Sequence, residues 1–274
     1  MKLQYLGTAA YEGFPALGCQ CDTCLRARKA GGKNLRSRTQ ALINEELLLE
    51  FPPDTVWHFM RFGIEYANVK ACLITHSHSD HLYTGDIPML GEYYTRNQRT
   101  EKLHFYAGES GYEMIKKELA PDHVQKRVDC TKAVPFGNFS VAGYSVLPVE
   151  ANHNADSSPM IYRIEKDGKS LLYAHDTGKL SERSLDALEK AGRVDLISMD
   201  STCAIGARKV DRHLDFETIL EMVDELKNRG IADEKTVIVA NHFSHNCKMT
   251  YDEMVSVGET HGVVISYDGM EIEF

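Results

Sequence analysis

The chain has 274 residues, of which 43% are hydrophobic, enough to bury a sizeable core. Lys and Arg total 31 against 40 Asp and Glu, a formal charge of −9, which argues against a broad groove that tracks a long polyanion and favours a small substrate. No apolar run approaches the roughly 18 residues of a membrane span, and "MKLQYLGTAAYEGF" lacks the apolar stretch of an export signal, so a membrane partner is not expected and the reading places the protein in the cytoplasm.

Short β-rich apolar runs recur along the chain: "LQYLG", "QALIN", "LLLEF", "KACLIT", "LHFYAG", "FSVAGYSVLPV", "MIYRIE", "SLLYA", "DLISM", "TVIVAN" and "GVVISY". Helical patterns fall between some of them. "SERSLDALEKAG" and "YDEMVSVGETHG" read as helices. The clearest helix starts near Asp215 as N-cap, carries Phe216, Ile219, Leu220, Val223 and Leu226 on one face, and stops at Gly230. Strands, helix and more strands without a Pro- or Ser-rich linker predict one α/β domain over residues 1–274, with mixed sheets covered by helices.

Near the N-terminus, "GCQCDTC" places Cys19, Cys21 and Cys24 within six positions, among seven cysteines in all. Three thiols this close cannot pair with one another without strain, yet they suit a closed tetrahedral zinc, so residues 18–25 are read as a structural zinc loop. A fourth ligand must come from elsewhere. Further on, "THSHSDH" ends an apolar strand and presents His76, His78, Asp80 and His81. Alternation sends His76 and His78 to one side, while Asp80 and His81 in the following turn can reach a second point. Imidazole and carboxylate donors at this spacing form a ligand set for zinc or a similar divalent ion, and two ions could sit side by side.

A two-metal site needs more donors than these four. His153 after "SVLPVEAN", Asp176 after "SLLYAH" and His242 after "TVIVAN" each follow the end of an apolar run and are the candidates. His213 precedes the start of the amphipathic helix, where an anion is favoured, and suits an acid or a phosphate contact. His245, three residues after His242, is read as the fourth ligand of the cysteine loop, with Cys247 as its rival. His58, His104, His123 and His261 are read as structural or surface residues, and His175 as a neighbour of the site or an exposed residue. Arg36 and Arg38 are read as solvated loop charges, with a phosphate contact as the alternative. "YEGFPALG" and "YTGDIPMLGEYY" lie close enough in sequence to contribute to a substrate pocket.

The H-x-H-x-D-H run at 76–81, the later histidine, the aspartate of "HDTG" and the histidine of "NHFSH" together resemble the metallo-β-lactamase superfamily. That resemblance implies a four-layer αβ/βα sandwich of two mixed β-sheets, with two divalent ions, zinc or manganese, at one edge. His76, His78 and His153 would hold one ion, Asp80, His81 and His242 the other, and Asp176 would bridge them. With Cys19, Cys21, Cys24 and His245 around a structural zinc, the chain resembles the cyclic-phosphate phosphodiesterase branch of the phosphonate-degradation pathway. By that likeness His213, in an H-L-D context, would serve near the leaving group, and Asp80 would orient the attacking hydroxide.

The function expected is therefore a metal-dependent phosphodiesterase for a small cyclic nucleotide or cyclic ribose phosphate, compatible with a homodimer. Three alternatives stand beside it: a tRNA 3′-processing ribonuclease, a lactamase or thioester hydrolase, and a non-catalytic accessory protein similar to quinone-biosynthesis protein B. No inserted basic, Gly-rich arm suited to tRNA is present, and all seven metal positions carry competent donors.

Overall fold

A computed structural model describes residues 1–96, 101–203 and 211–274. The first half runs β1 (Lys2–Gly7), α1 (Asp22–Ala30), β2 (Gln40–Ile43), β3 (Leu47–Leu49), α2 (Thr55–Phe62), β4 (Ala71–Leu73), β5 (Leu103–Ala107), α3 (Glu109–Glu118), α4 (Asp122–Gln125) and β6 (Val128–Lys132). The second half continues with β7 (Phe139–Val141), β8 (Tyr144–Glu150), β9 (Met160–Lys166), β10 (Lys169–Ala174), α5 (Glu182–Ala191), β11 (Leu196–Asp200), α6 (Phe216–Asn228), β12 (Val237–Asn241), α7 (Tyr251–His261), β13 (Val263–Ile265) and β14 (Glu271–Glu273).

Among the described residues the strands form two seven-stranded sheets, in the orders β14-β1-β2-β3-β4-β5-β6 and β13-β12-β11-β10-β9-β8-β7. Each mixes parallel and antiparallel pairs: β3 to β6 are parallel neighbours, as are β10 to β13, whereas β7 to β10 run antiparallel. The predicted run "FSVAGYSVLPV" is a hairpin, broken into β7 and β8 at Ala142 and Gly143, both at positive φ.

The period of two in each strand divides its side chains between layers. Ala41, Ile43, Leu47, Leu49, Ala71 and Leu73 of the first sheet meet Tyr162, Ile164, Leu171, Tyr173 and Leu196 of the second in a core between the sheets. Their neighbours Leu42, Leu48 and Cys72 point outward to the helical layer that contributes Ile115 and Val124. On the far side, Leu172, Ile197 and Ile238 pack under Leu185, Leu188, Ile219, Val223 and Leu226. Central strands are buried on both faces, which is why they read as continuous apolar runs rather than alternating ones. The result is the four-layer αβ/βα sandwich.

Helix α6 begins where expected: Asp215 accepts from the Thr218 N–H at 2.8 Å, and the Thr218 hydroxyl accepts in return from the Asp215 N–H. A polar strut crosses the apolar layer between the sheets. The buried Tyr5 hydroxyl donates to Ser198 Oγ at 2.8 Å, and Ser198 Oγ lies 2.8 Å from His175 Nε2.

Candidate metal centre

The loop after β4 and the residues after β8, β10 and β12 converge at one edge between the sheets, because parallel strands end together. β10, β11 and β12 are in parallel register, pairing Ala174 with Met199 and Asp200 with Asn241, so Asp176, Asp200 and His242 emerge side by side. Asp176 (φ 49°) and His242 (φ 64°) adopt the left-handed conformation, uncommon for residues with a Cβ. It turns each side chain sharply out of its strand, a form of local strain typical of functional sites.

Three overlapping clusters of donor atoms result, each with its atoms within 4.8 Å of one another: His76, His78, His153 and Asp176 in the first, Asp80, His81, Asp176 and His242 in the second, and Asp176, Asp200, His213 and His242 in a third. In the first, His76 Nε2 lies 2.9 Å from His78 Nδ1, and His153 Nε2 lies 3.3 Å from the same atom. In the second, His81 Nε2 lies 3.3 Å from His242 Nε2 and 3.5 Å from Asp80 Oδ2. Asp176 belongs to all three. Its Oδ2 is 3.1 Å from His76 Nε2 and 3.1 Å from His81 Nε2, one nitrogen from each of the first two clusters.

The remaining ring nitrogens are held from outside. His81 Nδ1 faces Glu50 Oε1 at 3.2 Å, His153 Nδ1 donates to the Arg212 carbonyl at 3.3 Å, and His242 Nδ1 donates to Thr202 Oγ1 at 2.8 Å. These contacts turn Nε2 of each ring inward, where a bound metal would replace its proton.

The electrostatics fit cations at this edge. Burial, joined by the neighbouring His81 charge, pushes His76 down to about 3, so it is a neutral donor. Burial opposes ionisation of Asp176, yet the His242 and His81 charges outweigh it and hold the carboxyl well below the usual range. Asp176 Oδ1 is buried and makes no hydrogen bond among the described residues. Converging imidazole nitrogens, an ionised buried carboxylate and an oxygen without a hydrogen bond are what divalent ions would satisfy.

His213 stands beside this centre. Its Nδ1 is 2.9 Å from Asp200 Oδ2 and 3.4 Å from Asp176 Oδ1. Burial disfavours its charge, but Asp200 and Asp176 prevail and raise it to about 9. Gly178 permits the approach of the preceding segment: a Cβ there would lie 2.0 Å from the Asp211 carbonyl oxygen.

Two buried carboxylates, Glu50 and Asp200, were missed as site residues in the sequence. Both obey the rule that found Asp176, an acidic residue closing an apolar run ("LLLE", "LISMD"). Glu50, at φ 71°, also accepts from the Thr75 N–H at 3.1 Å.

A cavity of about 420 Å³ opens onto the centre and is lined by His78, Asp80, His153, Asp176, His213 and His242, together with Tyr11, Glu12, Ser244 and Asn246. "YEGFPALG" thus reaches the cavity through Tyr11 and Glu12, while none of residues 83–94 lines it. The arginines of "GKNLRSRTQ" depart from expectation. Arg36 is buried, donating to Thr8 Oγ1 at 2.8 Å and to the Ser266 carbonyl at 2.7 Å, over the Phe243 ring. Arg38 pairs with Asp54 at 3.2 Å. Neither is a freely solvated charge, because the first closes a polar gap in the core and the second anchors its own loop.

The other predicted cluster also assembles. Cys19 Sγ and Cys21 Sγ each lie 3.5 Å from His245 Nδ1, and Cys24, on α1, completes a group of four donors within 4.8 Å. A tetrahedral zinc with thiolate and imidazole ligands sets its sulfur and nitrogen atoms about 3.5 Å apart. The His245 hydrogen bond draws the Cys21 thiol down to about 6, whereas burial pushes Cys24 up to about 12. Cys247 is buried elsewhere, its Sγ 3.6 Å from the Met249 carbonyl. Of the remaining histidines, His58 and His175 are buried, the first bonded to Ser37 and Gln40.

The two-sheet sandwich with donor clusters at its edge defines a metal-dependent hydrolase fold of the metallo-β-lactamase type. Residues 54–269 match the family model of the beta-lactamase superfamily domain, and the chain belongs to that superfamily. Exodeoxyribonuclease WalJ of Streptococcus pneumoniae is 28% identical over 124 residues, 45% of this chain and 42% of that protein, so the match spans under half of the relative's length. A diphosphatase of the PhnP family shares the fold at a TM-score of 0.74 and 18% identity, covering 100% of this chain and 97% of that one. Zinc-bound PqqB from Methylobacterium extorquens shares it at 0.76 and 19%, with 100% of both chains covered. No helix among the described residues is long and apolar enough to cross a membrane.

Proposed function

We propose that this chain is a phosphodiesterase with two divalent ions, zinc or manganese, that hydrolyses a small nucleotide or ribose phosphate diester. One observation carries this reading: Asp176 Oδ2 stands 3.1 Å from a nitrogen of each of the first two donor clusters, the position of a carboxylate shared by two adjacent ions. His76, His78 and His153 would hold one ion, and Asp80, His81 and His242 the other. Such ions supply positive charge that acidifies water and offsets charge developing on a phosphoryl group.

The chain's own residues do the rest. Asp80, on the cavity wall, orients the attacking water by accepting its proton in a hydrogen bond. The Asp200 carboxylate fixes His213 through Nδ1–H, so that Nε2–H is free to protonate the departing oxygen. The depressed Asp176 stays ionised throughout. A net charge of −9 supports a small substrate over a long polyanion, and two of the relatives bear names that denote cleavage of phosphorus–oxygen bonds.

The test is hydrolysis of bis(p-nitrophenyl) phosphate by protein loaded with zinc or manganese, beside Asp80→Ala prepared identically. Metal-dependent turnover lost in the variant, with about three ions per chain, is the result expected of two site ions and one structural zinc. Folded protein that turns over no diester, or that holds a single ion, would overturn the reading.

A further inference from the structure

A second cavity, of about 560 Å³, lies between the ends of β5, β6, β8 and β9. His153 lines both this cavity and the one that opens onto the donor clusters, so the two spaces adjoin at that side chain. His213 belongs to the first cavity and not to this one. The walls here are apolar: Val134, Pro135, Ala151, Pro159 and Met160. Val134 is 56% exposed, and no described core cluster includes it.

The space is preformed. Ser158 stands in the left-handed conformation (φ 52°) although a residue before proline favours extended backbone, and the Ser110 N–H donates to its hydroxyl at 3.2 Å. Gly108 packs so tightly that a Cβ would stand 2.7 Å from the Ser158 carbonyl oxygen. On the opposite wall the Gly137 N–H closes a turn onto the Val134 carbonyl at 2.9 Å. A ligand arm entering this cavity meets little ordering cost. Its volume falls within the ordinary range of small-ligand pockets.

Charge narrows the occupant. Lys132, the one lysine or arginine of the lining, is bonded to Glu109 Oε2 at 2.7 Å, and Glu150 pairs with Arg183 at 3.5 Å. A further phosphate would find both lining carboxylates and the lysine already paired off, and an uncharged planar group would be welcomed by the proline and aliphatic walls. We propose that this cavity binds the nucleobase of the substrate, so that a nucleoside carried on the phosphoryl group lies past His153 while the departing oxygen faces His213. This assignment rests on the phosphodiesterase reading and names its substrate class: a diester with an uncharged aromatic nucleoside arm.

Two substrates with the same leaving group test it: thymidine 5′-(p-nitrophenyl phosphate) and methyl p-nitrophenyl phosphate, assayed on metal-loaded wild type, Val134→Asp and Val134→Leu. Wild type is expected to favour the nucleoside ester in kcat/KM. Val134→Asp is expected to reduce that preference ratio about tenfold, through KM for the nucleoside ester, and Val134→Leu to keep it. Circular dichroism confirms that both variants fold. A wild type with no preference, or a ratio unmoved by Val134→Asp, overturns the nucleobase site while leaving the phosphodiesterase intact. Turnover of neither ester removes both readings.

Discussion

Nδ1 of His81 lies 3.2 Å from Oε1 of Glu50, and both side chains are completely buried. The carboxylate sits behind the ring, on the side away from the donor cluster, and its other oxygen is occupied by the Thr75 N–H. It therefore places a negative charge behind an imidazole of the donor cluster whose Nδ1 also meets Thr75 Oγ1 at 3.3 Å. Glu50→Gln keeps the shape but removes the charge, and is expected to weaken divalent-metal binding about 10- to 100-fold. Competition against a chromogenic chelator measures this; unchanged affinity would show that Glu50 only fills space.

His213 is argued to protonate the leaving oxygen, which matters only when that oxygen leaves poorly. His213→Gln is expected to lower kcat about 10²- to 10⁴-fold on a diester with an alkoxide leaving group. The loss on p-nitrophenyl esters is expected to be under about tenfold, since p-nitrophenolate departs without help. Equal losses on both would assign His213 to binding instead.

At the cysteine cluster, Cys21→Ala is expected to release one zinc per chain by metal analysis and to lower Tm by about 2–4 °C for each kcal/mol of stability lost. Cys247→Ala, whose thiol faces the Met249 carbonyl, is expected to leave the metal content unchanged. Zinc lost from Cys247→Ala as well would transfer the fourth-ligand role from His245 to Cys247.

His58 gives a pH dependence remote from the metal centre. Burial lowers it from 6.5 to about 4, and the neutral ring bridges Gln40 Oε1 and Ser37 Oγ at 2.7 Å each. Between pH 6.5 and 4 the unfolded chain binds a proton that the folded chain refuses, so the contribution is complete above pH 6.5 and is lost as pH falls toward 4. The loss amounts to about 3 kcal/mol. Urea unfolding of His58→Gln across this range is expected to show a slope shallower than wild type by that amount, and an identical slope would refute the assignment.

The strand ends were legible in the sequence because a histidine or aspartate that closes an apolar run has few other reasons to be there. His76, His81, Asp176 and His242 all announced themselves in this way. Glu50 and Asp200 obey the same rule, but acidic residues close strands often enough that only the three-dimensional register of β3, β4, β10, β11 and β12 distinguishes them. Arg36 was misread for a related reason. Its flanking Lys, Asn and Ser suggest solvent, and nothing local reveals that Thr8 and the Ser266 carbonyl, 28 and 230 positions away, wait to receive it. Helix α2 was hidden by its mixed face, since Val56, Trp57 and Met60 stay exposed.

Each of the first two donor clusters draws on both halves of the chain: His76, His78, Asp80 and His81 follow a strand of the first sheet, whereas His153, Asp176 and His242 follow strands of the second. Ions bound there would act as rivets across the open edge of the sandwich, opposing any slip of one sheet over the other. A chelator would then be a denaturant as well as an inhibitor. Resistance to unfolding would rise with free metal concentration, and the catalytic edge would be the first part of the molecule to part when the metal is withdrawn.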